Sequence, residues 1–186
     1  FPSMQVARSL PRPLWLCSAG VQRGFAAVGD RFPDVEVDMG YPPTKVNMVS
    51  RLAGKKTIVV GVPGAFTPTC STQHVPGFLK QQDALKGKGI HEVLVCSVND
   101  GAVMDAWARD QKIEGSMITF LADTEGNMAR SLNLLLDTPK IRQRLGGPRL
   151  KRFAMLVKEG VITEMVVAED DVPASATFAD AMLEKC

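Results

Sequence analysis

Two largely apolar segments constrain this chain more than anything else in it: "TIVVGV" at residues 57–62 and "HEVLVCSV" at residues 91–98. Both are rich in β-branched residues and lack polar alternation, the mark of strands buried on both faces. Between them Val75, Phe78, Leu79, Gln82 and Leu85 recur at helical spacing, and "KGKG" at 86–89 ends the pattern. A buried strand, a helix and a second buried strand make a βαβ unit, and with it a parallel sheet.

The remaining segments extend that sheet. "FPDVEVDM" (32–39) alternates as a half-buried strand does, and "GYPP" (40–43) is a turn. "NDGAVMDAWARD" (99–110) opens on an Asn/Asp cap and places Val103, Ala106 and Trp107 on one helical face. "MITFL" (117–121) reads as a short strand and "EGNMARSLNLL" (125–135) as a helix. "RFAMLVKEGVITEMVV" (152–167) reads as two strands joined at Glu159-Gly160, and "SATFADAMLEKC" (175–186) as a closing amphipathic helix. The pattern predicts an α/β domain of thioredoxin-like type, a central mixed β-sheet flanked by helices.

Charge divides the chain unevenly. Residues 1–29 hold Arg8, Arg12 and Arg23 and no acid; of the 22 Lys and Arg, the other 19 face 20 acids in the body. The acid-free stretch reads as an organelle transit peptide or a disordered leader, ahead of a single domain at 30–186. Mitochondrion is the expected compartment, with plastid or cytosol as alternatives. The near-neutral body offers no clustered basic surface for nucleic acid, and no apolar run is long enough to span a membrane. Of the four cysteines, Cys17 lies in the leader, and Cys70, Cys96 and Cys186 show neither CxxC nor zinc-ribbon spacing, which fits a reducing compartment.

The stretch "GVPGAFTPTC" (61–70) connects the first buried strand to the helix. Thr67-Pro68 is a helix start, a hydroxyl cap followed by proline where the missing N–H costs little. Cys70 then falls in the first turn, at the carboxyl end of a buried strand, where open α/β sheets place ligands. The helix dipole and a nearby cation favour a thiolate there. Gly61 and Gly64 leave room for a small substrate, and Pro63 and Pro68 stiffen the loop. A space-filling buried thiol is the alternative. A phosphate loop would need a Gly-Lys-Ser/Thr ending, and Cys70 with His74 supplies only two metal ligands, so no metal is expected. His74 itself reads as a partly exposed structural histidine whose charge would help Cys70 from one turn away.

"PGAFTPTCS", "HVPGF", "VNDGAVMDAW" and "GPRLKRFAMLV" resemble the type II, peroxiredoxin-5-like peroxiredoxins, over nearly the whole body from about Val28 onward. The resemblance implies that Cys70 attacks hydrogen peroxide or a small alkyl hydroperoxide and becomes a sulfenic acid, without any cofactor. It implies Thr67 as a hydrogen-bonding partner, Pro63 as a shield against water, and Arg152 as the stabilising cation. Residue chemistry alone leaves Arg149, Lys151 and Arg152 equivalent. Gly64 and Phe66 are expected at the substrate mouth, and the resemblance implies a homodimer.

The resolving thiol departs from the family. Many type II members carry it 25 residues after the peroxidatic cysteine, where this chain has Val95; Cys96 is one position on. Successive strand residues face opposite ways, so Cys96 is expected to pack in the core and nothing ties the terminal Cys186 to the site, with Cys96 and Cys186 as the alternative resolving thiols. The expectation is a one-cysteine enzyme recycled by glutathione with glutaredoxin, or by thioredoxin. Two other functions fit the same thiol: a peroxide sensor or redox relay, and a disulfide oxidoreductase, which would want a second cysteine in CxxC spacing.

Overall fold

The structure, a computed structural model, describes residues 26–169 and 171–186. The expected leader and Cys17 therefore lie mostly outside the described residues. Ala26 and Gly29 already hydrogen-bond to the body, through Leu132 O (3.3 Å) and Ile162 O (2.8 Å).

A seven-stranded mixed sheet forms the centre. Its strands are β1 (Glu36–Met39), β2 (Thr44–Asn47), β3 (Lys56–Gly61), β4 (Glu92–Ser97), β5 (Ile118–Ala122), β8 (Phe153–Lys158) and β9 (Val161–Val167), in the order β2-β1-β5-β4-β3-β8-β9. β3, β4 and β5 pair in parallel, whereas β8 runs antiparallel to β3. A separate ribbon joins β6 (Leu135–Leu136) to β7 (Arg149–Leu150). The helices are α1 (Met48–Leu52), α2 (Val75–Lys80), α3 (Gln82–Gly87), α4 (Gly101–Asp110), α5 (Asn127–Ser131), α6 (Pro139–Leu145) and α7 (Ala179–Lys185).

Period-2 alternation divides the core between the two faces of the sheet. Val60, Val95 and Phe120 join one cluster, with Phe78 and Trp107. Their neighbours Val59, Leu94 and Leu121 join the other, with Met128 and Phe153. Fully burying each such side chain contributes about 1.5–3 kcal/mol.

Several local expectations shift. The strand expected over 32–39 is only β1: residues 32–35 lie outside any strand, and after Met39 the chain turns back into β2. The single helix expected after residue 74 is broken at Gln81 into α2 and α3. Asp100 caps α4 by accepting from Val103 N, but the buried face is Gly101, Met104 and Trp107; Val103 and Ala106 are half-buried. The helix expected over 125–135 shortens to α5, and the rest feeds β6. Glu159 (φ 52°) and Gly160 (φ 78°) form the two-residue turn between β8 and β9, with the left-handed pair of a type I′ hairpin.

Candidate active site

The geometry of the site follows from strand direction. β3 ends at Gly61, and the chain then turns through Pro63, Gly64 and Phe66 into a helix that begins at Pro68. Because β8 is antiparallel to β3, its first residue, Phe153, pairs with the last of β3, Gly61. Arg152, one residue earlier, is thereby delivered to the carboxyl end of β3, where the Cys70 helix starts. Ala168 N donates to Arg152 O at 2.9 Å and holds that backbone in place.

Cys70 opens a π-helical segment, Cys70–His74, closed by Val75 N donating to Cys70 O. Arg152 Nη2 donates to Cys70 Sγ at 3.3 Å. Its other terminal nitrogen, Nη1, lies 2.8 Å from His74 Nδ1. The equivalence that the sequence left among three cations is broken by contacts. Arg149 donates to Val98 O (2.6 Å) and to Leu145 O, and Lys151 pairs with Glu169 at 2.7 Å.

Cys70 has no exposed surface. A cleft of about 810 Å³ beside it is lined by Pro63, Leu136, Lys151, Arg152, Val172 and Pro173, among others. Arg152 therefore both touches Sγ and faces the cleft, while Cys70 sits one layer behind.

Three neighbouring residues differ from expectation. Thr67 gives its hydroxyl proton to Gly64 O at 2.9 Å, so its donor is turned to the loop and its lone pairs remain. Gly61 does not make room for substrate. A Cβ there would lie 2.1 Å from the Phe153 ring, so the missing side chain accommodates packing. His74 is fully buried and uncharged, not a partly exposed cation. Burial, and then the Arg152 charge, push its pKa down to about 4, against a raising contribution from the Thr177 carbonyl. Its burial was missed because a lone histidine on a helix carries no sequence mark of partners 78 and 103 residues away.

The remaining residues of interest are placed as follows. Phe66 is 53% exposed with φ 57°, and its ring centroid is 6.4 Å from that of Trp107. Trp107 is buried and donates to Ser71 Oγ at 3.0 Å. The Thr67–Gly64 loop is braced from β4: Asn99 Oδ1 accepts from Ala65 N (3.0 Å) and Ser97 Oγ (2.8 Å).

Neither other described cysteine is brought to Cys70. Cys96 belongs to the cluster on the opposite face of the sheet, fully buried, and burial followed by the Asp123 charge pushes its thiol far up. Cys186 packs at the edge of the Cys70 face, but the charges it feels are those of Lys56 and Lys88, which oppose the upward push of burial. Lys56 begins β3, whereas the site follows its end, about 17–20 Å along the strand. Among the described residues, no group of His, Cys, Asp and Glu is arranged to hold a metal, and no helix is long and apolar enough to cross a membrane.

Comparison with known proteins agrees with this arrangement. The Redoxin family matches residues 27–183. The chain is 43% identical to Peroxiredoxin-2C of Oryza sativa subsp. japonica over 146 residues, covering 77% of this chain and 88% of that protein. It is 40% identical to the chloroplastic Peroxiredoxin-2E of Arabidopsis thaliana, over 77% of this chain and 62% of that protein. Among solved structures it resembles reduced Prx3 of Vibrio vulnificus in complex with H2O2, with TM-score 0.78, 34% identity and coverage of 86% and 94%. Peroxiredoxin 5 of Alvinella pompejana gives TM-score 0.74, 32% identity and coverage of 86% and 99%. An α/β sheet of thioredoxin-like form, a cysteine at a helix start with an arginine on its sulfur, and these likenesses lead to one conclusion: the chain belongs to the redoxin family, as a type II peroxiredoxin, a thiol peroxidase.

Proposed function

We propose that Cys70 is the peroxide-reducing thiol and that Arg152 stabilises it. The observation that carries this reading is the 3.3 Å contact between Arg152 Nη2 and Cys70 Sγ. The Cys70 thiolate attacks one oxygen of hydrogen peroxide or a small alkyl hydroperoxide. The O–O bond breaks, the leaving oxygen takes a proton to become water or an alcohol, and sulfur is oxidised to sulfenic acid. The guanidinium is preorganised toward the charge that develops on the parting oxygen. Thr67, with its proton committed to Gly64 O, offers lone pairs to the hydroperoxide O–H. Pro63 and Arg152 wall the cleft, so substrate reaches Sγ past these two; Gly64 and Phe66 lie on the loop beside it.

Recycling is by an external thiol. The placement of Cys96 and Cys186 supports a one-cysteine cycle. Glutathione condenses with the sulfenic acid, releasing water, and glutaredoxin or a second glutathione reduces the mixed disulfide; thioredoxin is the competing reductant. Exposed Phe66 beside the site supports a homodimer contact. The acid-free residues 1–29 support organelle import, which we assign to the mitochondrion and which a fluorescent fusion of that segment tests.

Stopped-flow peroxide reduction with glutathione and glutaredoxin, run against thioredoxin, tests the reading. Sustained consumption that vanishes in Cys70→Ser is expected. A single stoichiometric oxidation with either reductant would instead indicate a sensor. A Cys70–Cys186 or Cys70–Cys96 disulfide as the main product, seen by mass spectrometry, would overturn the one-cysteine cycle.

A further inference from the structure

Arg152 is a partly exposed residue whose side chain carries about 2 kcal/mol of rotamer entropy, so a second point of attachment helps hold its aim at Sγ. That point is His74. Arginine is always protonated and has no acceptor, so Nη1 donates and His74 Nδ1 must offer its lone pair. The ring proton is then on Nε2, which donates to Thr177 O at 3.0 Å. The Thr177 hydroxyl is turned to Ala174 O at 2.7 Å. The ring also makes tilted contacts with Phe78 and Phe178, at centroid distances of 5.7 and 4.9 Å. Both nitrogens thus have partners, Nδ1 in Arg152 and Nε2 in Thr177 before α7, and the ring has two aromatic neighbours, one from α2 and one at the start of α7. Charge on the ring would abolish the Nδ1 acceptor, and burial beside Arg152 keeps the ring neutral.

We propose that His74 is a positioning residue: as a neutral acceptor with a single fixed tautomer it anchors Arg152 Nη1, so that Nη2 is held on the Cys70 sulfur. The chain Thr177–His74–Arg152–Cys70 is one hydrogen-bonded line, and the C-terminal segment before α7 thereby sets the aim of the catalytic cation. This inference rests on the reading of Cys70 as the peroxide-reducing thiol.

Side-chain replacements that preserve one nitrogen at a time test it. An asparagine oxygen falls near the Nδ1 position and keeps an acceptor for Arg152; a glutamine amide reaches the Nε2 position and keeps only the Thr177 contact. His74→Asn should retain most of the peroxide rate. His74→Gln and His74→Phe should lower it about tenfold, the scale of one charge-assisted hydrogen bond, and move the pH–rate profile to higher pH. In an Arg152→Ala background, His74→Gln should produce no further loss, since its effect runs through the guanidinium. Equal losses in His74→Asn and His74→Gln, or a full additional loss in the Arg152→Ala background, would overturn the proposal. If His74→Phe does not fold, the Asn and Gln pair decides alone. Persistence of full activity in Cys70→Ser would instead overturn the underlying assignment of the thiol, an outcome separate from any result at position 74.

Discussion

Arg152 and Cys70 are 82 positions apart in the chain, yet a guanidinium nitrogen lies 3.3 Å from the thiol sulfur. The antiparallel pairing of β8 with β3 makes that contact. Arg152→Ala should therefore lower the rate of peroxide reduction by about a hundredfold or more, the usual cost of removing a preorganised donor. Arg152→Lys should recover only part of it, because an ammonium cannot span Sγ and His74 as a planar fork does. Stopped-flow rates with the folded variants, checked by circular dichroism, measure both.

Gly61→Ala should destabilise the protein by about 1–3 kcal/mol, the range for forcing extra volume into a packed core. The added methyl would meet the ring of buried Phe153 at 2.1 Å. Urea unfolding reads the loss. Activity should fall as well, since any shift of Phe153 moves the adjoining Arg152.

Cys96→Ser should cost about 1–3 kcal/mol in unfolding free energy, because it places a hydroxyl among apolar partners. Its peroxide rate and its recycling by glutathione should match the parent's. Loss of turnover in a folded Cys96→Ser protein would show that this sulfur takes part in the cycle.

Burial of His74 gives stability a definite pH dependence. The native ring stays neutral to about pH 4, whereas the unfolded residue takes a proton near its ordinary value of 6.5. Between these values the unfolded state binds more protons, so stability falls as pH falls through the window, by about 3 kcal/mol from this residue. The carboxyl of Asp38, held low mainly by its hydrogen bond to Lys45, acts below this range. Asp123, raised by burial, acts in the opposite sense above its ordinary range. Comparing urea midpoints of the parent and His74→Asn from pH 4 to 6.5 isolates the histidine: the parent's slope should be the steeper.

Legibility in the sequence followed burial. β3 and β4 declared themselves because both faces are covered and their central positions, 58–60 and 93–96, are all apolar. The β8–β9 hairpin was marked by the left-handed preference of Gly160. β2, "TKVN", gave no signal because none of its residues is fully buried. α6 buries none of its residues either, yet Thr138-Pro139 carries the same cap-and-proline start that was read at Thr67-Pro68; Thr138 Oγ1 accepts from Ile141 N at 3.2 Å. In the site, Cys70 stood out through its local turn. Arg152 could be chosen only by resemblance, since the register of Gly61 against Phe153 separates it from Arg149 and Lys151. His74 was misjudged because its environment is assembled from Arg152, Thr177 and Phe178, all remote in the chain.

The sulfur of Cys96, buried in the apolar layer on the sheet face away from Cys70, gives the molecule a built-in witness to its own opening. Strand side chains stand off the sheet, so the layer packed over that face must lift before this sulfur meets solvent. Whatever oxidative damage is found there in a stressed population therefore records molecules that had already lost their architecture, and dates the injury to collapse of the protein, not to its work.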